Sequence, residues 1–112
     1  MRRITTYLQL ERFLKAEKAV AFYFYSDDCP VCQALRPKVE QLFTHRFPLV
    51  ALQMINLQQA VDLTEQLQIY TVPVLIVCFD GKEQIRKTRC WGIDELDQEL
   101  SRPYGLMVGE NG

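Results

Sequence analysis

Two rhythms of hydrophobic positions divide this chain. Ala19-Val20-Ala21-Phe22-Tyr23-Phe24-Tyr25 and Val74-Leu75-Ile76-Val77-Cys78-Phe79 are unbroken apolar runs, rich in β-branched and aromatic residues. Runs of that length and composition predict strands, the first a central one buried on both faces. Residues 47–55, opened by Pro48, predict another strand. The intervening segments follow a helical rhythm. Thr5 or Thr6 can cap a first helix with Tyr7, Leu10 and Leu14 on one face and Glu11, Arg12 and Lys15 on the other. Val31, Leu35, Val39 and Leu42 form an apolar stripe that predicts a second helix lasting to about His45. Pro37 should kink it, having no N–H for the preceding turn. Residues 58–68 read as a short helix with Ala60, Leu63 and Leu67 inward. Asp80-Gly81 is a hairpin turn signal, and residues 82–89 are charged enough to form an edge strand. Asp94 can cap a last helix bearing Ile93, Leu96 and Leu100.

From Arg102 onward, Pro103, Gly105, Gly109 and Gly112 break the pattern and predict a flexible, frayed tail. The element order is therefore αβαβαββα. A leading βαβ unit, a later hairpin and a covering helix predict an α/β domain over residues 1–101, with a mixed central β-sheet flanked by helices on both faces. Residues 102–112 form the tail in this reading.

Composition narrows the function classes. A chain of 112 residues with 48% hydrophobic content is long enough for one domain with a buried core. Formal net charge is −1 and the charges are mixed along the chain, so there is no basic stripe for nucleic acid. Glu11, Arg12, Lys15, Glu17 and Lys18 interrupt the N-terminal segment, which disfavours a signal peptide or a membrane span. Four cysteines are too few and too unevenly spaced for a disulfide scaffold. The expectation is a cytoplasmic monomer without membrane or nucleic-acid partners.

The chemistry concentrates at Cys29-Pro30-Val31-Cys32, on the seam between a strand and a helix. Backbone N–H groups and the positive end of the helix dipole can stabilise a thiolate at Cys29. Cys32 is close enough to attack a mixed disulfide formed on Cys29. Asp27 and Asp28 oppose the thiolate by like charge, so Cys29 is expected to be modestly acidic and the couple reducing or intermediate. A zinc site using Cys29, Cys32, Cys78 and Cys90 lacks the second close pair such sites use. Cys78, inside an apolar run, reads as a small hydrophobe. Cys90 reads as a surface or packing cysteine ahead of a regulatory thiol, and Trp91 as core filler near the last helix ahead of a docking residue. His45, the sole histidine, suits a helix C-terminus and has no cysteine near it in sequence. No Gly-rich phosphate loop is present, and no cofactor is implied.

With these residues in place, the chain resembles the thioredoxin family over roughly residues 4–100. The resemblance rests on Cys29-Pro30-Val31-Cys32 after an aromatic strand, Pro37 in the following helix, Thr71-Val72-Pro73-Val74 before a strand, Asp80-Gly81 in the hairpin, and Gly92 before the last helix. It implies the thioredoxin fold and a thiol–disulfide oxidoreductase. Cys29 would be the nucleophile, the more exposed of the two, and Cys32 the buried resolving thiol. A cis Val72–Pro73 bond would face the pair, and Val72, Pro73, Asp28 and Pro30 would meet substrate. Partners would be disulfide-containing proteins or small thiols, with electrons from an external donor such as a reductase. The chain departs from the family where Asp28 and Pro30 replace the tryptophan and glycine of Trp-Cys-Gly-Pro-Cys, and where Tyr23 falls at the family's buried carboxylate. The missing carboxylate at Tyr23 and the missing tryptophan before Cys29 support an alternative, a binding module that kept the groove around Pro73 and lost efficient turnover.

Overall fold

The central strand is β1, Ala19–Tyr25, and everything else is stacked on it. The structure, a computed structural model, describes residues 3–111 and the side chains of residues 3–109. Met1, Arg2 and Gly112, at the ends of the expected domain and tail, lie outside them. In chain order, α1 (Tyr7–Ala16) precedes β1, followed by α2 (Pro30–Arg46), β2 (Ala51–Asn56), a 3₁₀ turn (Leu57–Gln59), α3 (Val61–Gln66), β3 (Val74–Phe79), β4 (Lys82–Thr88) and α4 (Ile93–Asn111). The sheet order is β2-β1-β3-β4. β1 pairs parallel with β2 and antiparallel with β3, and β3 pairs antiparallel with β4. This is the mixed sheet that the element order predicts.

Strand side chains alternate between faces, and both faces are covered. Ala19, Ala21 and Tyr23 of β1 pack with Leu75 and Val77 of β3 against Val39, Leu42 and Phe43 of α2 and Leu96 and Leu100 of α4. Val20, Phe22 and Phe24 pack with Val74, Ile76 and Cys78 on the opposite face, against Leu10 of α1 and Leu63 of α3. β1 is apolar without interruption because neither of its faces meets water. β4 is charged and largely exposed, as an edge strand should be.

Local signals set several ends. Thr6 caps α1 in a reciprocal box with Gln9, whose side chain returns to the Thr6 backbone. Asp80 and Gly81 both have positive φ, 53° and 78°, the backbone a two-residue hairpin turn of the right-handed sheet requires. Among the described residues, no helix is long and apolar enough to cross a membrane.

The structure corrects the sequence reading at five places. Phe13, not Tyr7, joins Leu10 and Leu14 in contact with the core, and Tyr7 is exposed. β2 begins at Ala51 rather than near Phe47: Phe47 caps α2, and the Val50 amide donates to its carbonyl at 3.1 Å, so Pro48 and Leu49 sit in a turn. The helix expected at residues 58–68 is divided into the 3₁₀ turn and α3, with non-helical Ala60 between them (φ −137°, ψ 46°). Asp94 lies inside the first turn of α4 and does not cap it. The Leu96 amide instead donates to the Gly92 carbonyl at 3.1 Å. Finally, α4 does not fray at Arg102 but runs through Pro103 to Asn111, crossing the boundary expected after residue 101. A proline in a helix interior costs roughly 3 kcal/mol. Here Met107 is buried and Tyr104 packs edge-on against Phe47, with ring centroids 5.1 Å apart. Those contacts extend the Leu96–Leu100 stripe and offset the poor local propensity.

Candidate active site

Cys29 is the N-cap of α2, in extended backbone, with Pro30 in the first helical position. Proline suits that position, because its missing N–H is one the helix could not use. The chain reaches it through a turn closed by the Cys29 amide on the Ser26 carbonyl, at 3.3 Å. Cys29 and Cys32 form a disulfide with Cα atoms 5.2 Å apart, and the Cys32 amide donates to Cys29 Sγ at 3.1 Å. The same N–H and the helix N-terminus are placed to stabilise a Cys29 thiolate once the bond is reduced. The two sulfurs are unequally placed: Cys29 is half-buried, whereas Cys32 is 1% exposed.

The carboxylates before Cys29 have donors of their own. The Ser26 hydroxyl donates to Asp28 Oδ1 at 2.9 Å, and the Asn56 side-chain amide donates to Asp27 Oδ2 at 3.2 Å. The Asp27 backbone is held as well: its carbonyl accepts from Gln33 Nε2 at 2.7 Å, and its amide donates to Gln58 Oε1 at 3.3 Å. Asp28 and Pro30 are exposed on either side of Cys29.

Beneath the pair stands Tyr23, fully buried, whose hydroxyl donates to the Cys32 carbonyl at 2.7 Å. Burial pushes its phenol up to about 12, with the positive charge of Arg36 pulling weakly the other way. At neutral pH Tyr23 therefore keeps its proton and directs it to the carbonyl. It cannot take the Cys32 proton as a carboxylate would.

Val72 is half-buried and Pro73 buried, and the bond between them is cis. The Pro73 carbonyl accepts two hydrogen bonds, from the Arg89 amide at 3.1 Å and from Trp91 Nε1 at 3.2 Å. Trp91 in turn meets Tyr23 edge-on, with ring centroids 6.3 Å apart. Two aromatic rings thus join the Pro73 segment to the carbonyl of Cys32. Tyr25 also stacks with Tyr23, ring centroids 6.4 Å apart, and the Arg36 guanidinium lies 5.1 Å from the Tyr25 ring centre.

Sequence alone ranked Trp91 as core filler ahead of a docking residue, whereas the structure makes it part of the site. A usable signal existed: a strand antiparallel to β3 that starts after Asp80-Gly81 must end beside Pro73. The register Val74↔Thr88 delivers Trp91 there. Cys90 is exposed beside it. Cys78 lies on the opposite sheet face, its thiol pushed up to about 11, mainly by burial, with Glu83 adding to the rise and Arg86 opposing it. His45 is in the last turn of α2. Among the described residues, no group of three or more His, Cys, Asp or Glu side chains could hold a metal ion.

Comparisons with known proteins agree with this geometry. The family model described as Thioredoxin matches residues 4–102. The thioredoxin-like protein YdfQ of Bacillus subtilis is 32% identical over 103 residues, covering 92% of this chain and 91% of its own length. Among solved structures, the thioredoxin of Fasciola hepatica superposes with a TM-score of 0.79 at 23% identity, covering 91% of this chain and 98% of that one. Thioredoxin 1 of Thermosipho africanus gives a TM-score of 0.72 at 25% identity, covering 80% of this chain and 98% of that one.

Proposed function

This chain belongs to the thioredoxin family, and on that premise we propose that it reduces or exchanges protein disulfides through the Cys29/Cys32 couple. The observation that carries the proposal is the unequal pair itself: one sulfur at a helix N-terminus with access to solvent, the other buried one turn inside. Cys29 thiolate attacks one sulfur of the substrate disulfide. A mixed disulfide forms, and the other substrate sulfur leaves as a thiolate that takes up a proton. Cys32 then loses its proton and attacks Cys29 Sγ. The second substrate thiol is released, and the Cys29–Cys32 disulfide holds the oxidised state. Two electrons have passed to the substrate, and an external dithiol or reductase must return them. Val72 and Pro73 on one side, and Asp28 and Pro30 on the other, frame the path of the incoming segment. A reducing compartment such as the cytoplasm suits a protein with Cys78 and Cys90 left as thiols, and a monomer suffices for this chemistry.

Dithiothreitol-driven reduction of an insulin-type disulfide, run beside Cys29→Ser, tests the proposal. Turnover is expected in the unaltered chain and none in the variant; equal rates would overturn it. Brief alkylation of the reduced protein should label Cys29 ahead of Cys32, and the reverse order would exchange their roles. One observation favours a second reading, a binding module with little turnover: Tyr23 gives Cys32 no proton acceptor. Normal formation of the mixed disulfide without its release would support that reading.

A further inference from the structure

A groove of about 540 Å³ opens beside the cysteine pair. One wall is a stripe of α2 in which Val31, Leu35 and Lys38 are spaced four and three residues apart and so share a face. The other wall is the loop after β4, with Arg89, Cys90 and Trp91. Val31, between the two cysteines, is 61% exposed, a large apolar side chain left in water next to the reactive sulfur. The charges in the groove are unbalanced. Its acid, Glu95, is already taken by Lys87 at 3.1 Å. Lys38 and Arg89 are exposed, and among the described residues the side chain of neither has an ion-pair or hydrogen-bond partner.

We propose that this groove docks the polypeptide flanking a substrate's disulfide and selects segments that carry an apolar residue and an acidic residue close to the reactive cysteine. The inference rests on the redox reading given above. Val31, Leu35 and Trp91 offer apolar surface that a side chain can cover, and Lys38 and Arg89 offer positive charge without a partner. Charges at such a rim act mainly on encounter and on rejection of the wrong partner, so basic flanks are disfavoured as much as acidic ones are favoured. A small charged disulfide such as that of glutathione has carboxylates for Lys38 and Arg89 but nothing to cover the apolar wall. The occupant is therefore a protein segment.

The test uses three synthetic disulfide peptides, identical except for Glu, Gln or Lys next to a leucine beside the cysteine. Their dithiothreitol-coupled reduction by the full chain is followed with glutathione disulfide alongside. KM is expected to rise in the order Glu, Gln, Lys by about tenfold in total at low ionic strength, with kcat within about twofold. At about 0.5 M salt the spread should shrink to roughly two- to threefold, because exposed charges are screened. The double variant Lys38→Glu with Arg89→Glu should reverse the order, whereas Lys82→Glu, at the far end of β4, should leave it in place. Equal KM for the three peptides, or an unchanged order in the double variant, would overturn the proposal, as would glutathione disulfide outcompeting the acidic peptide. Binding of the same peptides with serine in place of cysteine separates the two claims. If no peptide is reduced, the redox reading fails, and the order of Kd values alone decides the groove.

Discussion

The two faces of the sheet are made from alternate residues of the same strands, and they have come to different uses. Phe24 and Tyr23 are adjacent on β1, and both are fully buried. Phe24 points into an aliphatic layer with Val74, Ile76 and Cys78, under α1 and α3. Tyr23 points under α2 and α4, where its hydroxyl meets the Cys32 carbonyl and its ring meets Trp91. Burial alone does not separate the two positions; a single polar atom does. The face with Phe24 stabilises the sheet by excluding water. The face with Tyr23 does that too, and it also fixes the turn that carries the cysteines. The free cysteine on the first face, Cys78, is a packing residue whose thiol burial keeps neutral.

The largest effect that can break this contrast is a cavity on the aliphatic face. Phe24→Ala should lower stability by about 3–5 kcal/mol in urea denaturation, while the folded fraction exchanges disulfides within about twofold of the original rate. A change in exchange rate as large as the one expected of a Tyr23 variant would show that the faces are not separable.

The next effect is alkaline and belongs to Tyr23. Its folded-state phenol titrates near 12, above the usual 10, so the folded protein holds a proton that the unfolded chain has lost. The stability this provides is fully present below about pH 10 and is lost as pH rises through about 12, a loss of roughly 2–3 kcal/mol at about 1.4 kcal/mol per unit. Tyr23→Phe should lack that part of the decline. Parallel stability–pH curves for the two proteins would mean that the phenol is solvated.

At neutral pH the same residue bears on the resolving step. Release of a chromogenic mixed disulfide from Cys29 should accelerate between about pH 6 and about pH 9, because buried Cys32 must shed its proton without a carboxylate beneath it. Tyr23→Asp should speed release about tenfold near neutrality, at some cost in stability from a buried carboxylate. Fast release that ignores pH in the unaltered protein would show that another group already takes the proton.

The smallest effect lies at the far end of the chemical face. The Leu49 amide donates to the Tyr104 hydroxyl at 3.3 Å, joining α4 to the turn before β2. Tyr104→Phe should cost about 0.5–1 kcal/mol and speed hydrogen exchange at the Leu49 amide. No change in either would mean that this hydrogen bond contributes nothing to the fold, and that the ring contact with Phe47 and buried Met107 hold this part of α4.

What the sequence determined by itself is whatever depends on neighbours a few positions apart. The apolar runs fixed β1 and β3 to the residue, Thr5 or Thr6 marked the start of α1, and Asp80-Gly81 placed the hairpin. Cys29-Pro30-Val31-Cys32 announced both the start of α2 and the chemistry, because capping, proline placement and thiol reactivity are all properties of one short segment. What only the tertiary structure decided is which distant groups meet. Tyr23 and the Cys32 carbonyl are nine residues apart, Trp91 and the Pro73 carbonyl eighteen, Tyr104 and the Leu49 amide fifty-five. Periodicity carries no record of such pairs, so Trp91 passed for filler and residues 102–111 for a frayed tail. The physical reason is the same in each case. A hydrogen bond or ring contact can outweigh a weak local propensity, but it exists only after the sheet has brought its two ends together.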